Sequence, residues 1–391
     1  MTPATVHHVF PYDPAHLGLS VDAWWASQLQ RWPLAAVSET HEADRTNVHV
    51  IGPHRQTLIS RLTLHVHPGL FTGPRYRRWG DDWSHSLGRA LRDLGPADLC
   101  YVHLNDYASA RLCLRAASKA RTVTVFHGLG VGHWDPPTQA ADKLIFLREE
   151  AVTQFLEEGA ADYRLELVTP SVDRRLLYRS GRDLTETPKI GFVGRLEPSK
   201  GIAELAAAMR QLSLKSFDVR LDIIGTDTSE SSQLFSKMKD RVRLYGEQPS
   251  TAVAAMLKSW DVLAVPSYTE GCPLVVLEAL AAGVHVVAIE SVLPRRLEQL
   301  PLVIAGPRDA FADNLVHALQ IARGTGRWSA PSVDVVPGHQ EGAAVWDRLA
   351  ASTHRVDRRP RPSIRPYVGR WRRLVARASR WQFPPNVLHQ G

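Results

Sequence analysis

The chain is 391 residues long, 44% apolar and 22% charged, too long for one ordinary domain and composed like a soluble globular protein, so two α/β domains are expected. It contains no run of 18 uncharged apolar residues, which argues against a membrane-spanning helix. The formal net charge is +7, and Cys100, Cys113 and Cys272 are scattered without CxxC or zinc spacing, so no metal site is read and a reducing cytoplasm is expected.

Residues 1–13 lack the basic-then-apolar order of a secretory signal, and TVHHVF at 5–10 reads as a first core strand. A loop with Gly18 leads to a helix over 21–29. Strands follow at 47–52 and 62–67, then a helix at 83–94 and the strand ADLCYVH at 97–103. A helix at 106–120 precedes RTVTVFHG at 121–128, a strand running straight into a His-Gly turn. A strand at 142–147, a helix at 149–158 and YRLELVTPSVD at 163–173 complete a domain assigned to 1–176. Such alternation predicts a parallel sheet covered on both faces.

The polar stretch 177–188 reads as a linker, and a second series fills 189–352. Strands are expected at 189–195, 217–225, 242–246, 261–267, 284–289 and 301–306. Helices are expected at 201–212, 231–239, 250–259, after Pro273 and at 341–352. Two doubly wound domains facing each other across a cleft would result.

Two stretches carry chemistry. The first, GFVGRLEPSKG at 191–201, joins a strand to a helix. Gly194 permits close backbone approach, Arg195 and Lys200 flank the turn, and the helix start adds its N–H groups, which together describe an anion site. The GxxxxGK[ST] order of a triphosphate-binding loop is missing. The second, YTEGCPLVVLEALAAG at 268–283, holds Glu270 before a helix and Glu278 within it, with Pro273 in the first turn and Gly283 past the last. Eight residues of helix rise about 12 Å, too far for two carboxylates to grip one glycosidic bond, which takes roughly 5–9.5 Å. Carboxylates held that far apart suit an extended ligand with hydroxyls at both ends. A nucleotide sugar is such a ligand, its diphosphate facing the amides of Gly271, Cys272 and Leu274.

Together these stretches resemble the retaining glycosyltransferases of family 4, the glycosyl transferases group 1, which have the GT-B fold; the resemblance covers most of 189–288. It implies that the residues matching Arg195 and Lys200 hold the donor diphosphate, that Glu270 contacts the donor sugar and that Glu278 holds the ribose. More faintly, TVFHGLG at 124–130 resembles the family's strand and His-Gly turn, which puts His127 beside the donor sugar. His103, with Asn105 and Asp106, stands where the family often has polar acceptor-side residues. The family's Gly-Gly loop after the first strand is reduced to HLGLS, keeping Gly18, and its later Gly-Gly pair is replaced by SVLPRRLE.

The mechanism implied by the resemblance is front-face transfer, retaining anomeric configuration without a covalent enzyme intermediate and without a metal or other cofactor. The donor would be a nucleotide-diphosphate sugar, UDP-linked on family precedent, and the acceptor a hydroxyl on a small molecule, glycan or lipid-linked compound. A GT-B protein that binds a nucleotide sugar without transferring it is the alternative.

Residues 353–391 hold ten arginines and one acid, a net +9 that leaves the remainder at −2. Within them, 367–381 has the spacing of a basic amphipathic helix. Such a helix either packs back on the first domain or meets an anionic membrane at the inner face, a partner or a phosphate-rich ligand. No nucleic-acid-binding pattern is present.

Overall fold

The computed structural model describes residues 4–11, 14, 20–52, 57–59, 61–69, 84–104, 107–127, 141–177, 187–215, 217–226, 233–238, 240–324 and 336–355. Gly18, Asn105, Asp106, the loop 71–78 and the arginine-rich segment from 356 onward lie outside them.

The first half builds an eight-stranded sheet in the order β3-β4-β2-β1-β5-β6-β7-β8. Its strands are β1 (Val6–Phe10), β2 (Thr46–Ile51), β3 (Thr57–Ile59), β4 (Thr63–His67), β5 (Leu99–Leu104), β6 (Arg121–Phe126), β7 (Lys143–Phe146) and β8 (Leu165–Leu167). All pairings are parallel except that of the edge strand β3 with β4, an antiparallel addition absent from the expected order. Among the described residues, these helices accompany the sheet: α1 (Val21–Gln28), α2 (Leu34–Val37), α3 (His85–Arg92), α4 (Tyr107–Ala116) and α5 (Glu149–Glu157). Ser20 and Ser84 cap α1 and α3, accepting from Ala23 N and Leu87 N.

After α6 (Arg174–Leu177) the chain builds a six-stranded, wholly parallel sheet, β11-β10-β9-β12-β13-β14. Its strands are β9 (Lys189–Val193), β10 (Arg220–Ile224), β11 (Val242–Leu244), β12 (Val262–Val265), β13 (His285–Ile289) and β14 (Val303–Gly306). Between them run α7 (Ile202–Leu214), α8 (Ser250–Leu257), α9 (Leu274–Ala281), α10 (Arg295–Glu298) and α11 (Phe311–Gly324). The expected helix over 231–239 is, where described, a single 3₁₀ turn at Ser236–Met238. The C-terminus of α9 closes as expected: Gly283 takes φ 69°, and the amides of Gly283 and Val284 return to Leu280 O and Ala279 O. Pro273 sits at the N-cap rather than inside the first turn.

The last helix, α12 (His339–Ser352), covers the stretch expected to be helical at 341–352. It packs on α2 of the first unit, and its Trp346 meets Tyr101 edge-on with ring centroids 5.1 Å apart. The buried Arg121 guanidinium donates to Ala350 O and Thr353 O just beyond. One apolar cluster runs continuously from the inner face of the first sheet through the second unit, and a smaller one fills the first sheet's outer face.

Histidines occupy the first sheet where aliphatic residues would be ordinary. On the outer face, Nδ1 of His7 lies 2.9 Å from Nε2 of His49, and Nδ1 of His49 lies 2.9 Å from Nε2 of His67. Thr5 Oγ1 bridges His7 to Asp98 at one end, and Ser86 Oγ meets His67 at the other. Burial holds His7 at a pKa of about 4, and His49 well below 6.5. The unfolded chain therefore takes up protons from about pH 6.5, while the folded chain resists until about pH 4. Stability is expected to fall as pH drops through that window and then to level off for these groups. Urea unfolding at pH 7, 5.5 and 4.5 checks it: a midpoint that does not move with pH would show these rings charging freely in the fold.

Candidate active site

Strands β9 and β12 lie side by side where the strand order of the second sheet reverses, the place at which open α/β sheets gather ligands beyond their carboxyl ends. The segment after β9 turns through Pro198–Lys200 into Gly201, at φ 70°, before α7 begins. The segment after β12 carries Ser267 to Pro273 and then opens α9. The amide of Tyr268 donates to Ser199 O at 2.9 Å and joins the two loops.

The side chains meet where the backbones do. Lys200 Nζ is 2.7 Å from Glu270 Oε1, which also accepts from Ser267 Oγ at 2.8 Å. This pair lines a depression floored by Phe192, Ala264 and Val265 and walled by Pro273 and Val275. Lys200 and Glu270, expected from sequence to serve diphosphate and sugar separately, thus hold each other. Arg195 is half-exposed, its Nη1 3.1 Å from Glu197 Oε2. Gly194 contributes backbone, but to the fold: its carbonyl oxygen would lie 1.8 Å from a Cβ on Gly225, so its close neighbour is β10's own turn.

Helix α9 starts beside this pair without a side-chain cap, leaving first-turn amides, Leu274's among them, to face an anion. Gly271 and Cys272 lead into it. Cys272 is buried and its thiol pushed up to about 12, so it does not act as a nucleophile at neutral pH. One helical turn further along, burial raises the pKa of Glu278, and Arg31 of the first unit opposes that shift.

Two arginines absent from the expected set cross between the units. Arg148, buried at the end of β7, donates through Nη1 to Glu270 O (3.0 Å) and Val292 O (2.7 Å) and through Nη2 to Ser291 O (3.1 Å). Ser291 has φ 65°, a conformation glycine adopts readily, in the segment where the resemblance leads one to look for Gly-Gly. In the opposite direction, Arg296 pairs with Glu149 Oε1 at 2.7 Å and donates to Thr169 Oγ1 and Leu147 O. SVLPRRLE therefore supplies an inter-unit clasp. The only sequence hint was a charged residue closing an apolar strand. Arg308 was likewise missed: it lies 3.7 Å over the Tyr268 ring and donates to Pro266 O and Ser267 O, bracing the Glu270 loop.

In the first unit, His127 stands at the carboxyl end of β6, half-buried, its pKa lowered to about 4 by burial. His103, expected from the resemblance on the acceptor side, is fully buried beneath His127, with Nδ1 2.8 Å from His127 Nε2.

Residues 187–320 match the family model described as "Glycosyl transferases group 1". This stretch is a group 1 domain. It contains Arg195, Lys200, Glu270 and Glu278, all the second-half residues on which the site rests. Among curated proteins, the chain is 26% identical over 208 residues to the D-inositol 3-phosphate glycosyltransferase of Segniliparus rotundus, covering 49% of this chain and 43% of that one. It is 28% identical to the colanic acid biosynthesis glycosyltransferase WcaL of Escherichia coli, named there as putative, over 52% of this chain and 56% of that one. The chain thus spans about half the length of the curated relatives it matches. Among solved structures, HepE of Anabaena in complex with UDP superposes with a TM-score of 0.64 at 15% identity, covering 89% of this chain and all of that one. Sucrose-phosphate synthase of Thermosynechococcus elongatus gives 0.59 at 18% identity, over 96% and 100%. The group 1 domain and the sheet before it form the GT-B fold.

Proposed function

We propose that the protein is a retaining glycosyltransferase that moves a sugar from a nucleotide-diphosphate donor, UDP-linked, to an acceptor hydroxyl. The observation that carries this is the Lys200–Glu270 pair at the carboxyl ends of adjacent strands, beside the uncapped start of α9. The named relatives and the UDP-bound neighbour support the class and the donor.

On donor binding, Lys200 turns from Glu270 to the diphosphate, joined by Arg195 and the α9 amides, and the Glu270 carboxylate takes sugar hydroxyls. Glu278, held beside Arg31, takes the ribose diol. The acceptor oxygen attacks the anomeric carbon from the face the diphosphate leaves; the sugar–phosphate bond breaks, and the departing phosphate oxygen receives the acceptor's proton. Glu270 is not the nucleophile in this scheme. The protein contributes position and charge, and Lys200 and Arg195 take the place a divalent ion would have. The arginine-rich segment after 353 is assigned to an anionic membrane surface, which would bring the enzyme to a lipid-linked acceptor.

A thermal-shift screen over UDP-, GDP-, TDP- and ADP-sugars tests the donor, since a ligand at 100 times its Kd stabilises by about 2.7 kcal/mol. A rise in Tm with a UDP-sugar and a product of unchanged anomeric configuration by NMR are expected. An inverted product would overturn the mechanism. Binding without turnover across acceptors would leave only a nucleotide-sugar-binding protein.

A further inference from the structure

A second file of histidines lies on the inner face of the first sheet and ends at His127, at the carboxyl end of β6. Strands β1, β5 and β6 are neighbours, and their register sets His8 opposite Tyr101 and His103 opposite Val125. The two-residue period then puts His8, His103 and His127 on one face. His8 Nδ1 is 2.9 Å from His103 Nε2, and His103 Nδ1 is 2.8 Å from His127 Nε2. Phe10 stacks on the His103 ring at 4.2 Å and 5°, holding it flat in the file.

Each link joins Nδ1 of one ring to Nε2 of the next, and a neutral imidazole carries one N–H. Burial keeps all three neutral at pH 7. The tautomers are therefore coupled. Either every ring is protonated at Nδ1, so that His127 offers an Nδ1–H, or every ring is protonated at Nε2, so that His127 offers a lone pair there. Trp346 stands edge-on to the innermost ring, His8, with centroids 5.4 Å apart.

We propose that His8 and His103 are positioning residues that set the tautomer of His127, and with it whether His127 meets the donor sugar as a hydrogen-bond donor or as an acceptor. The role of His127 at the sugar rests on the function proposed above; the coupling of the tautomers does not.

The test uses full-length protein labelled with 15N-histidine, with the His127 signals assigned through His127→Gln. Long-range 1H–15N spectra should show a single tautomer at His127. In His8→Phe, which keeps a ring against Tyr101 and Trp346 but has no ring nitrogen, the His127 pattern should move toward a mixture of tautomers, although residue 8 reaches residue 127 through His103. Transfer by the same variant should lose about tenfold in kcat, roughly the worth of one hydrogen bond, with donor KM within twofold. Unchanged His127 signals in a folded His8→Phe protein, or a mixture of tautomers at His127 in the parent, would overturn the proposal. A responding His127 in a protein that transfers no sugar would count against the function and leave the coupling standing.

Discussion

Lys200→Met is expected to lower sugar transfer by about 10²- to 10³-fold, the cost typical of removing one group that stabilises charge in a transition state. Methionine keeps the length of the stem and removes the ammonium. The fold should tolerate this. The Lys200–Glu270 pair is partly exposed, the side chains 23% and 15% accessible, and such pairs contribute little to stability. Glu270 also keeps its bond from Ser267. Loss of kcat at a melting temperature within a few degrees of the parent is the expected pattern. A near-normal rate would remove Lys200 from the diphosphate and with it the proposed mechanism.

The largest stability effect should come from Gly201→Ala. Gly201 has φ 70°, and a Cβ there would lie 2.0 Å from Pro266 O, in the backbone of the adjoining site loop. An alanine must pay the left-handed penalty, about 1–2 kcal/mol, and also push apart the two loops that carry Lys200 and Ser267. The total should reach about 3–5 kcal/mol. Gly246 provides the comparison, with φ 67° and nothing within 4 Å of its would-be Cβ. Gly246→Ala should cost only about 1 kcal/mol. Urea unfolding of both variants separates conformation from contact; equal losses would show that the Gly201 loops give way freely.

The second sheet was readable because its strands are short apolar runs bounded by glycine, proline or a helix cap, and each central strand is buried on both faces. Lys200 and Glu270 were readable for a related reason: both stand just past such a strand, where chain direction alone indicates the ligand side. What pattern could not show was pairing across distance. Nothing in GFVGRLEPSKG says that Lys200 will reach a carboxylate 70 residues later rather than wait for a phosphate. His103 looked like a site residue because it ends a strand, yet strand ends carry buried rungs as well as ligands, and only the neighbouring strand distinguishes them. Arg148 and Arg296 were not singled out because their partners are mostly main-chain carbonyls, which every sequence has everywhere.

The return of α12 to the first sheet has a consequence for anyone recombining this scaffold. The polypeptide passes between the units twice, between 177 and 187 and again between 324 and 336, so the first unit is built from two segments and the second from one. A donor half exchanged at one junction would strip Trp346 from Tyr101 and leave Arg121 facing carbonyls of a foreign helix. A working chimera needs two seams, and should take 187–324 as an insert set into a host made of everything else.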